Sequence, residues 1–595
     1  MTRPSYKRFK GFLAPVMDLD YDLSCSFHTP LTLRKKFEAL AALGFISINI
    51  VVPPPDNVDY TDAGRVSFLP EKNSNYLAAS RAGFTDPFRQ AVTFAKQAGL
   101  KVCGIFKPYE GGGVYTVPKG HHLLPRRSQT SCLGGETQVA DFIAKHPERR
   151  LKRRDSGKDD VHLPVTSIEL AFLIDKLPAA QSGGKAYPAL SAASILLLPQ
   201  WQVEIFVSDD NGGYRKLKNK ITVTREIKKI RIADSNGFTL LPSARCLVMT
   251  ISGFRINNRY MAVHFRGKGP RLLLMPQTMV TAKSGQRVLK TTASPTLRYN
   301  PSLTREFKKK PPKPADFKTC GFEYAWSWPG GYGWWEWNLV GIARGYEPYI
   351  RGALCEAVPS VRRYWLKYLE YIIDCGCDGV DIRLPSHCSG IRDFFNYGYN
   401  REILAAFKCR FGRLPGRGRG DFMKIMRIRG QFFMEFIRDA RILLHKNGRT
   451  FQFHLRNCLC KPSLGLTYHE NGPWFMPKIL PDWKEIVRMS DRVILSDNLS
   501  ERHCIGQRKN VALPIKRYAA KLGKKVWAYC YLQQGHSFNR KVLNDFAADP
   551  HIKGIYLYEV VYNKRENDGI LEVVSPTRIR VVRKHRALFK ELLTH

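Results

Sequence analysis

Four stretches of the chain repeat one design. LRKKFEALAALGFISINIVV, DPFRQAVTFAKQAGLKVCGIF, SVRRYWLKYLEYIIDCGCDGVDIRL and LPIKRYAAKLGKKVWAYCYL each run as an amphipathic helix, a glycine and an apolar strand. In the third, Val361, Trp365, Leu369, Ile372 and Ile373 fall on one helical stripe. Ser360 is placed to cap the start of that helix, and Gly376 suits the left-handed residue that closes one. Gly44, Gly99 and Gly523 hold the same position in the other three. A repeated helix, glycine and buried strand predicts a parallel sheet with helices on the outside.

The strands of this pattern are GFLAPVMD (11–18), FISINIVV (45–52), KVCGIFK (101–107), GVDIRL (379–384), FQFHLR (451–456), RVILSD (492–497), KVWAYCYL (525–532) and GIYLYE (554–559). Eight is the number that closes a (β/α)8, or TIM, barrel. The rival, an open doubly wound sheet, calls for a glycine-rich phosphate loop after the first strand, and none follows it. The gap between the third and fourth strands is too long for a barrel loop. It holds short alternating runs such as WQVEIFV, KITVTREIKKIRIAD and ARCLVMTISGF, separated by DDNGG and DSNG. This reads as an all-β insertion of the sandwich kind. The expected organisation is residues 1–160 as the first part of the barrel (strands 1–3), 161–300 as the inserted all-β domain, 301–320 as a basic linker and 321–595 as the second part of the barrel (strands 4–8).

The formal net charge of the 595-residue chain is +44, a field that attracts polyanions. The basic runs HPERRLKRRDSGK, YRKLKNKITVTREIKKIR, REFKKKPPKPADFK and KCRFGRLPGRGRGDFMKIMRIRG lie in different regions. No zinc finger, RNP motif or basic zipper accompanies them, so nucleic-acid binding is not expected as the main function. No run of about 18 apolar residues is present, which argues against a membrane span. The basic N-terminus has a short apolar segment followed by acids and makes a poor secretory signal. The expectation is a cytoplasmic protein, with export by another route left open. The 14 cysteines include Cys375 with Cys377 and Cys458 with Cys460. Neither pair has zinc-finger or CxxC spacing, so they read as buried free thiols, and no metal or cofactor is expected.

In a barrel the chemistry sits at the C-terminal strand ends, and side chains alternate along each strand. The fourth strand therefore puts Asp381 and Arg383 on one side, with His387 in the next loop. The third offers Lys107 and then Glu110, the fifth His454 and Arg456, the sixth Asp497 and Asn498. The seventh offers Trp527, Tyr529 and Tyr531, the eighth Tyr558 and Glu559. The stretch GFEYAWSWPGGYGWWEWN, beginning at Gly321, holds five of the ten tryptophans, Trp335 and Trp337 among them. It reads as an aromatic loop over a site, since aromatic faces stack on sugar rings. Each residue also has an ordinary reading: Asp381 with Arg383 as a structural ion pair, His454 as a core histidine, Glu559 as a loop cap. Taken together, carboxylates, bases and aromatics converging on one mouth look like an active site. Glycoside hydrolysis fits such a set, with one carboxylic acid protonating the leaving oxygen and a second attacking or activating water. There is no G-x-S-x-G elbow and no HExxH. Metal ligation by Asp381, His387 and His454 has no diagnostic spacing.

The stretches GLKVCGIFKPYEGG, RGALCEAVPSVRRYWLKYLEYIIDCGCDGVDIRLPSH, YGYNREILAAFKCRFG and GIYLYE resemble the bacterial glycoside-hydrolase-like (β/α)8 barrel proteins often labelled family-10-like. The resemblance covers roughly residues 10–120 and 320–590, and a β-rich insertion between the third and fourth strands is similar too. It implies a carbohydrate-active barrel with its site at the strand C-termini. Well-known retaining barrels carry acids at the ends of strands four and seven. Here the fourth has Asp381 while the seventh ends in aromatics. The expected assignment is Asp381 as nucleophile or base and Glu559 as acid, with Glu110 and Asp497 in reserve. Arg383, His387, Glu110, Lys107, His454, Asp497, Tyr529, Trp335 and Trp337 are expected to bind the substrate. Glu356, in CEAVPS, either is structural or reaches the mouth. The basic surface favours an anionic glycan. Two rival readings stand beside the enzyme: a barrel that binds a glycan without cleaving it, and a charge-driven nucleic-acid-associated protein.

Overall fold

The computed structural model describes residues 11–19, 29–52, 84–111, 117–118, 128–130, 135–155, 159–176, 189–191, 202–210, 214–233, 239–266, 273–274, 279–294, 333–334, 339–384, 396–455, 479–495, 512–532, 536–558, 560, 569–575 and 577–593. Eight parallel strands close into a barrel in the order of the sequence. They are β1 (Leu13–Asp18), β2 (Ser47–Val51), β3 (Lys101–Phe106), β4 (Gly379–Arg383), β5 (Thr450–Leu455), β6 (Arg492–Leu495), β7 (Lys525–Tyr531) and β8 (Ile552–Tyr558). The ring closes where β1 pairs with β8, Val16 beside Tyr558. This is the (β/α)8, or TIM, barrel that the repeated unit predicts.

The repeat forms as its chemistry requires. Gly44, Gly99, Gly376 and Gly523 follow the helices Pro30–Ala42, Pro87–Gln97, Pro359–Asp374 and Leu513–Lys521 with φ of 96°, 82°, 91° and 65°, the left-handed region that costs a residue with a Cβ about 1–2 kcal/mol. One detail differs from expectation. The helix Pro359–Asp374 has Val358 in its N-cap position with no side-chain cap bond, so Ser360 lies inside the first turn and caps nothing. Pro359 accounts for the difference: its fixed φ suits the first helical position, where a missing N–H costs nothing.

Val361, Trp365, Leu369 and Ile372 are buried, as the helical stripe requires. They join Val380 and Ile382 of β4, Phe451, Phe453 and Leu455 of β5 and Phe106 of β3 in one apolar layer between barrel and helices. The opposite faces of the strands line the barrel interior. There a smaller cluster holds Ala14, Val16, Val51, Ile105, Ile494, Trp527, Tyr529 and Tyr556.

Antiparallel sheets occupy the interval between β3 and β4. In one, Gln202–Ser208 pairs with Tyr260–Arg266, which pairs with Leu339–Arg344, and that strand with Thr291–Ser294. In another, the long strands Thr222–Ala233 and Thr239–Ser252 form a ribbon whose second strand pairs with Ser167–Leu173. Buried residues of both sheets, including Ile168, Leu170 and Phe172 with Ile205, Met261 and Ile342, make one apolar cluster separate from the barrel layers. Antiparallel pairing in this interval runs past residue 300 as far as Leu354, where Tyr349–Leu354 meets Arg150–Lys152.

Candidate functional site at the C-terminal mouth of the barrel

Strand alternation builds the site. With Val380 and Ile382 turned toward the helices, β4 turns Asp381 and Arg383 inward. With Phe451, Phe453 and Leu455 turned out, β5 turns Gln452 and His454 inward. The same alternation puts Cys103 and Ile105 of β3, Trp527 and Tyr529 of β7 and Tyr556 and Tyr558 of β8 in the interior. The lining is far more polar than the branched aliphatic residues that usually fill such a barrel.

The lower layer is a chain of polar contacts. Tyr556 Oη donates to Gln452 Oε1, and the Gln452 amide donates to Cys103 Sγ at 3.0 Å. Arg492 lies over the Trp527 ring, 4.4 Å from its centroid. Burial pushes the Cys103 thiol up to about 12, with the charge of Asp381 adding to the effect and that of Arg492 opposing it. Tyr556 is also held well above the ordinary phenol range, first by burial and then by Asp381. For Arg492, burial works against the charge and is outweighed by Tyr556, Cys103 and Asp381. Asp381 is thus the carboxylate that these buried groups feel in common.

Asp381 and His454 meet above this layer. His454 Nε2 and Asp381 Oδ2 form a hydrogen-bonded pair with both side chains fully buried. The other carboxylate oxygen, Oδ1, is buried and has no hydrogen-bond partner among the described residues. A carboxylate oxygen left in that state is costly, so the arrangement suits a group that is completed by something bound.

The rim comes next. Arg383 donates to Tyr529 Oη at 3.2 Å and lies over the rings of Tyr529 and Tyr558, at 5.1 and 6.0 Å from their centroids. Tyr558 Oη in turn donates to Asp18 Oδ2 at 3.3 Å. Lys107, just past β3, is buried and pairs with Glu110 at 3.1 Å.

Of the residues singled out in the sequence, Asp381, His454, Arg383 and Tyr529 come together, and Lys107 and Glu110 make their own pair at the end of β3. His387, Asp497, Glu559, Trp335 and Trp337 lie outside the described residues, as does the stretch 301–320. Glu356 takes the structural alternative. It is fully buried and binds Arg429 through two bonds, Oε1 to Nε at 2.6 Å and Oε2 to Nη2 at 3.2 Å, while Tyr109 Oη donates to Oε2 at 3.0 Å. Arg429 belongs to the outer helix Arg419–Lys446, so this pair locks the helical layer.

Asp18, Cys103, Gln452, Arg492 and Tyr556 also face the interior, although none is among the candidates named from the sequence. Their signal was present in the alternation: each stands two residues from an inward-facing neighbour on its own strand. Cys375 and Cys377 are free thiols, and no group of three or more His, Cys, Asp or Glu side chains among the described residues is arranged to hold a metal. A groove of about 620 Å³ lies on the outer helical layer, lined by Arg427, Gln431, Arg438, Leu480, Asp482 and Glu485 among others. It contains none of the strand-end side chains, and the perturbed, buried chemistry lies inside the barrel. No helix among the described residues is long and apolar enough to cross a membrane.

No family model matches the chain, so the family-10-like label stays a resemblance, and no curated protein matches it either. Among solved structures the chain is similar to the catalytic domain of a beta-amylase from Paenibacillus polymyxa, at 8% identity and a TM-score of 0.36, covering 98% of both chains. It is similar to a beta-galactosidase from the psychrophilic Marinomonas ef1, at 9% identity and a TM-score of 0.38, covering 98% of this chain and 58% of that one. A GH20 exo beta-N-acetylglucosaminidase from Vibrio harveyi aligns at 10% identity and a TM-score of 0.32, covering 93% of this chain and 50% of that one. These structural neighbours are glycoside hydrolases by name; likeness at this level carries nothing about the substrate or the individual residues of this chain.

Proposed function

We propose that the protein is a glycoside hydrolase acting on a polysaccharide or oligosaccharide at the C-terminal mouth of its barrel. One observation carries the reading: Asp381 is fully buried inside the barrel on β4, two residues before the strand ends, one oxygen bonded to His454 and the other without a partner among the described residues. In this role Asp381 attacks the anomeric carbon or draws a proton from water. His454 holds the second oxygen and so aims Oδ1 at the reacting centre. Arg383, Tyr529 and Tyr558 supply a charged and aromatic rim of the kind that grips a sugar ring.

The chemistry needs a second carboxylate. Glu559, which follows Tyr558 directly, is the proposed acid. Glu110 and Asp497 are its reserves, and Asp18, bonded to Tyr558 at the same mouth, joins them. The formal net charge of +44 supports an anionic glycan.

The test is release of reducing ends from a panel of neutral and anionic glycans, with Asp381→Asn beside the wild-type chain. Release that vanishes in the variant while the fold is retained supports the reading. Undiminished release in Asp381→Asn removes Asp381 from the mechanism. A wild type that binds a glycan tightly and releases nothing points to a non-catalytic glycan-binding barrel, a reading favoured by the aromatic lining of β7, where Trp527 and Tyr529 stand inside the barrel.

A further inference from the structure

A permanent positive charge stands in the barrel beneath the mouth. Register places Gln452 of β5 beside Asp381 of β4, and the same Gln452 beside Arg492 of β6. Val493 and Leu495 belong to the outer apolar layer and Ile494 to the interior cluster, so alternation turns Arg492 inward as well. Asp381, Gln452 and Arg492 therefore sit side by side on three adjacent strands. Two strand spacings, about 10 Å, separate the backbones of the outer two, and both side chains point into the space between. Arg492 is the first residue of β6, at the end of the strand away from the mouth, so its charge approaches Asp381 from below.

Arg492 is held where it stands. Its guanidinium lies over the Trp527 ring, 4.4 Å from the centroid, and the face of an indole attracts a cation. Trp527 can lie there because residue 554 is a glycine: a Cβ would come within 2.3 Å of the ring. Tyr556 Oη donates to Gln452 Oε1 and the Gln452 amide donates to Cys103 Sγ, which fixes the side chain between the anion and the cation. Asp381 and Arg492 act in opposite senses on both Cys103 and Tyr556, and the charge of Asp381 favours the charged form of Arg492.

The other titratable groups around Asp381 behave differently. Burial raises Cys103 and Tyr556, so both stay protonated and neutral near pH 7. His454 bonds Asp381 directly, but an imidazole gains and loses its charge in that same range. Toward the rim, Lys107 pairs with Glu110, Tyr558 bonds Asp18, and Arg383 bonds Tyr529. Arg492 combines a charge that does not titrate with a place on the side of Asp381 away from the mouth.

We infer that Arg492 is a positioning residue for Asp381: clamped on Trp527 beneath the mouth, it supplies the fixed countercharge that keeps the Asp381 carboxylate able to attack or to take a proton. The inference rests on the reading of Asp381 as nucleophile or base and adds the residue that acts through it. It also divides the work in the barrel. His454 bonds one oxygen and can change its charge during a reaction, while Arg492 offsets the carboxylate whichever form His454 takes.

The experiment is the pH profile of kcat/KM on the responsive glycan for the wild type, Arg492→Met, Arg492→Gln and Arg492→Lys. Infrared difference spectra of each chain against its Asp381→Asn counterpart are recorded over the same pH range, and they read protonation of the Asp381 carboxylate without turnover. Losing a nearby cation favours the neutral acid. In Arg492→Met the acid limb is therefore expected to move up by about one pH unit or more, and the carboxylic-acid band to appear at correspondingly higher pH. KM is expected to stay at the wild-type value, because Arg492 lies away from the mouth. Arg492→Lys keeps the charge and is expected to leave limb and band where the wild type has them. Arg492→Gln keeps the test open if Arg492→Met does not fold. The inference is overturned if neither limb nor band moves in the methionine or glutamine chain. It is also overturned if Arg492→Lys moves them as far as Arg492→Met, since the role is then one of packing. A moved band without hydrolysis of any glycan leaves Arg492 standing and removes the glycosidase, whereas hydrolysis with limb and band unmoved does the reverse.

Discussion

His454 and Asp381 reach each other diagonally. Strand register sets His454 beside Arg383 and Asp381 beside Gln452, yet His454 Nε2 leans back to Asp381 Oδ2, and both side chains are fully buried. The lean joins the rim to the layer below it and leaves the other carboxylate oxygen, Oδ1, buried without a hydrogen-bond partner among the described residues.

That geometry predicts unequal effects at the two positions. With Asp381 in the proposed role of nucleophile or base, Asp381→Asn should lower kcat on the responsive glycan by at least about 1,000-fold, in the range that loss of such a group produces. His454→Gln keeps a donor near Oδ2 and should cost less, about 10- to 100-fold, with His454→Ala falling between the two. Steady-state kinetics on the three variants decide it. Equal losses for glutamine and alanine at position 454 would show that His454 does not act through its bond to Asp381.

Glu356 and Arg429 make a second buried pair, with no part in the mouth. Removing one partner leaves an uncompensated charge, which costs about 3–5 kcal/mol. Glu356→Gln and Arg429→Met should each lower stability by that order in urea unfolding. The double variant should be less destabilised than the sum of the two, because no charge is then stranded. Strict additivity would mean the bonds to the pair are worth little.

Gly554 carries a packing prediction. A Cβ there would lie 2.3 Å from Cε2 of the Trp527 ring, the ring over which Arg492 sits. Gly554→Ala should cost about 1–3 kcal/mol through overpacking, and Trp527→Phe, by making room, should recover part of it. Thermal unfolding of both single variants and the double variant measures this. A neutral Gly554→Ala would show that the lower barrel layer has slack.

The Cys103 thiol gives a pH dependence with a definite sign. Its ordinary value is 9.0, and the fold raises it to about 12, chiefly by burial. Between those values the native state holds a proton that the unfolded chain has released, so stability falls as pH rises. The contribution is fully present below about pH 9 and is lost on the way to 12. Tyr556 and Tyr109, also raised by burial, act in the same direction at higher pH. Urea midpoints from pH 8 to 10.5 should decline, and Cys103→Ser should flatten the decline by up to about 1.4 kcal/mol per pH unit, the linkage of one proton. An identical slope in the variant would place the thiolate penalty elsewhere.

The division between sequence and tertiary structure follows from the range of the forces involved. The barrel was legible because its unit is local: stripes of Val361, Trp365, Leu369 and Ile372, a glycine to end the helix, and an apolar strand within a few residues. Eight such strands of one handedness have few ways to bury themselves, so the fold followed from counting. Asp381, Arg383, His454 and Tyr529 were legible as a group for the same reason, since alternation and strand ends are read along the chain. Other assignments depended on partners far away in sequence. Glu356 could have faced the mouth or the helices until Arg429, 73 residues on, bonded it behind the barrel. Ser360 had the chemistry of a cap, but Pro359 started the helix first. Gln452, Arg492, Tyr556 and Cys103 are unremarkable one at a time, and they become a polar layer under Asp381 only when four strands are set in register. Short-range periodicity determined which elements form and which side of each strand is inside; closure of the barrel decided which inward side chains meet, because hydrogen bonds and ion pairs act over a few ångströms and only the closed ring brings those groups that near.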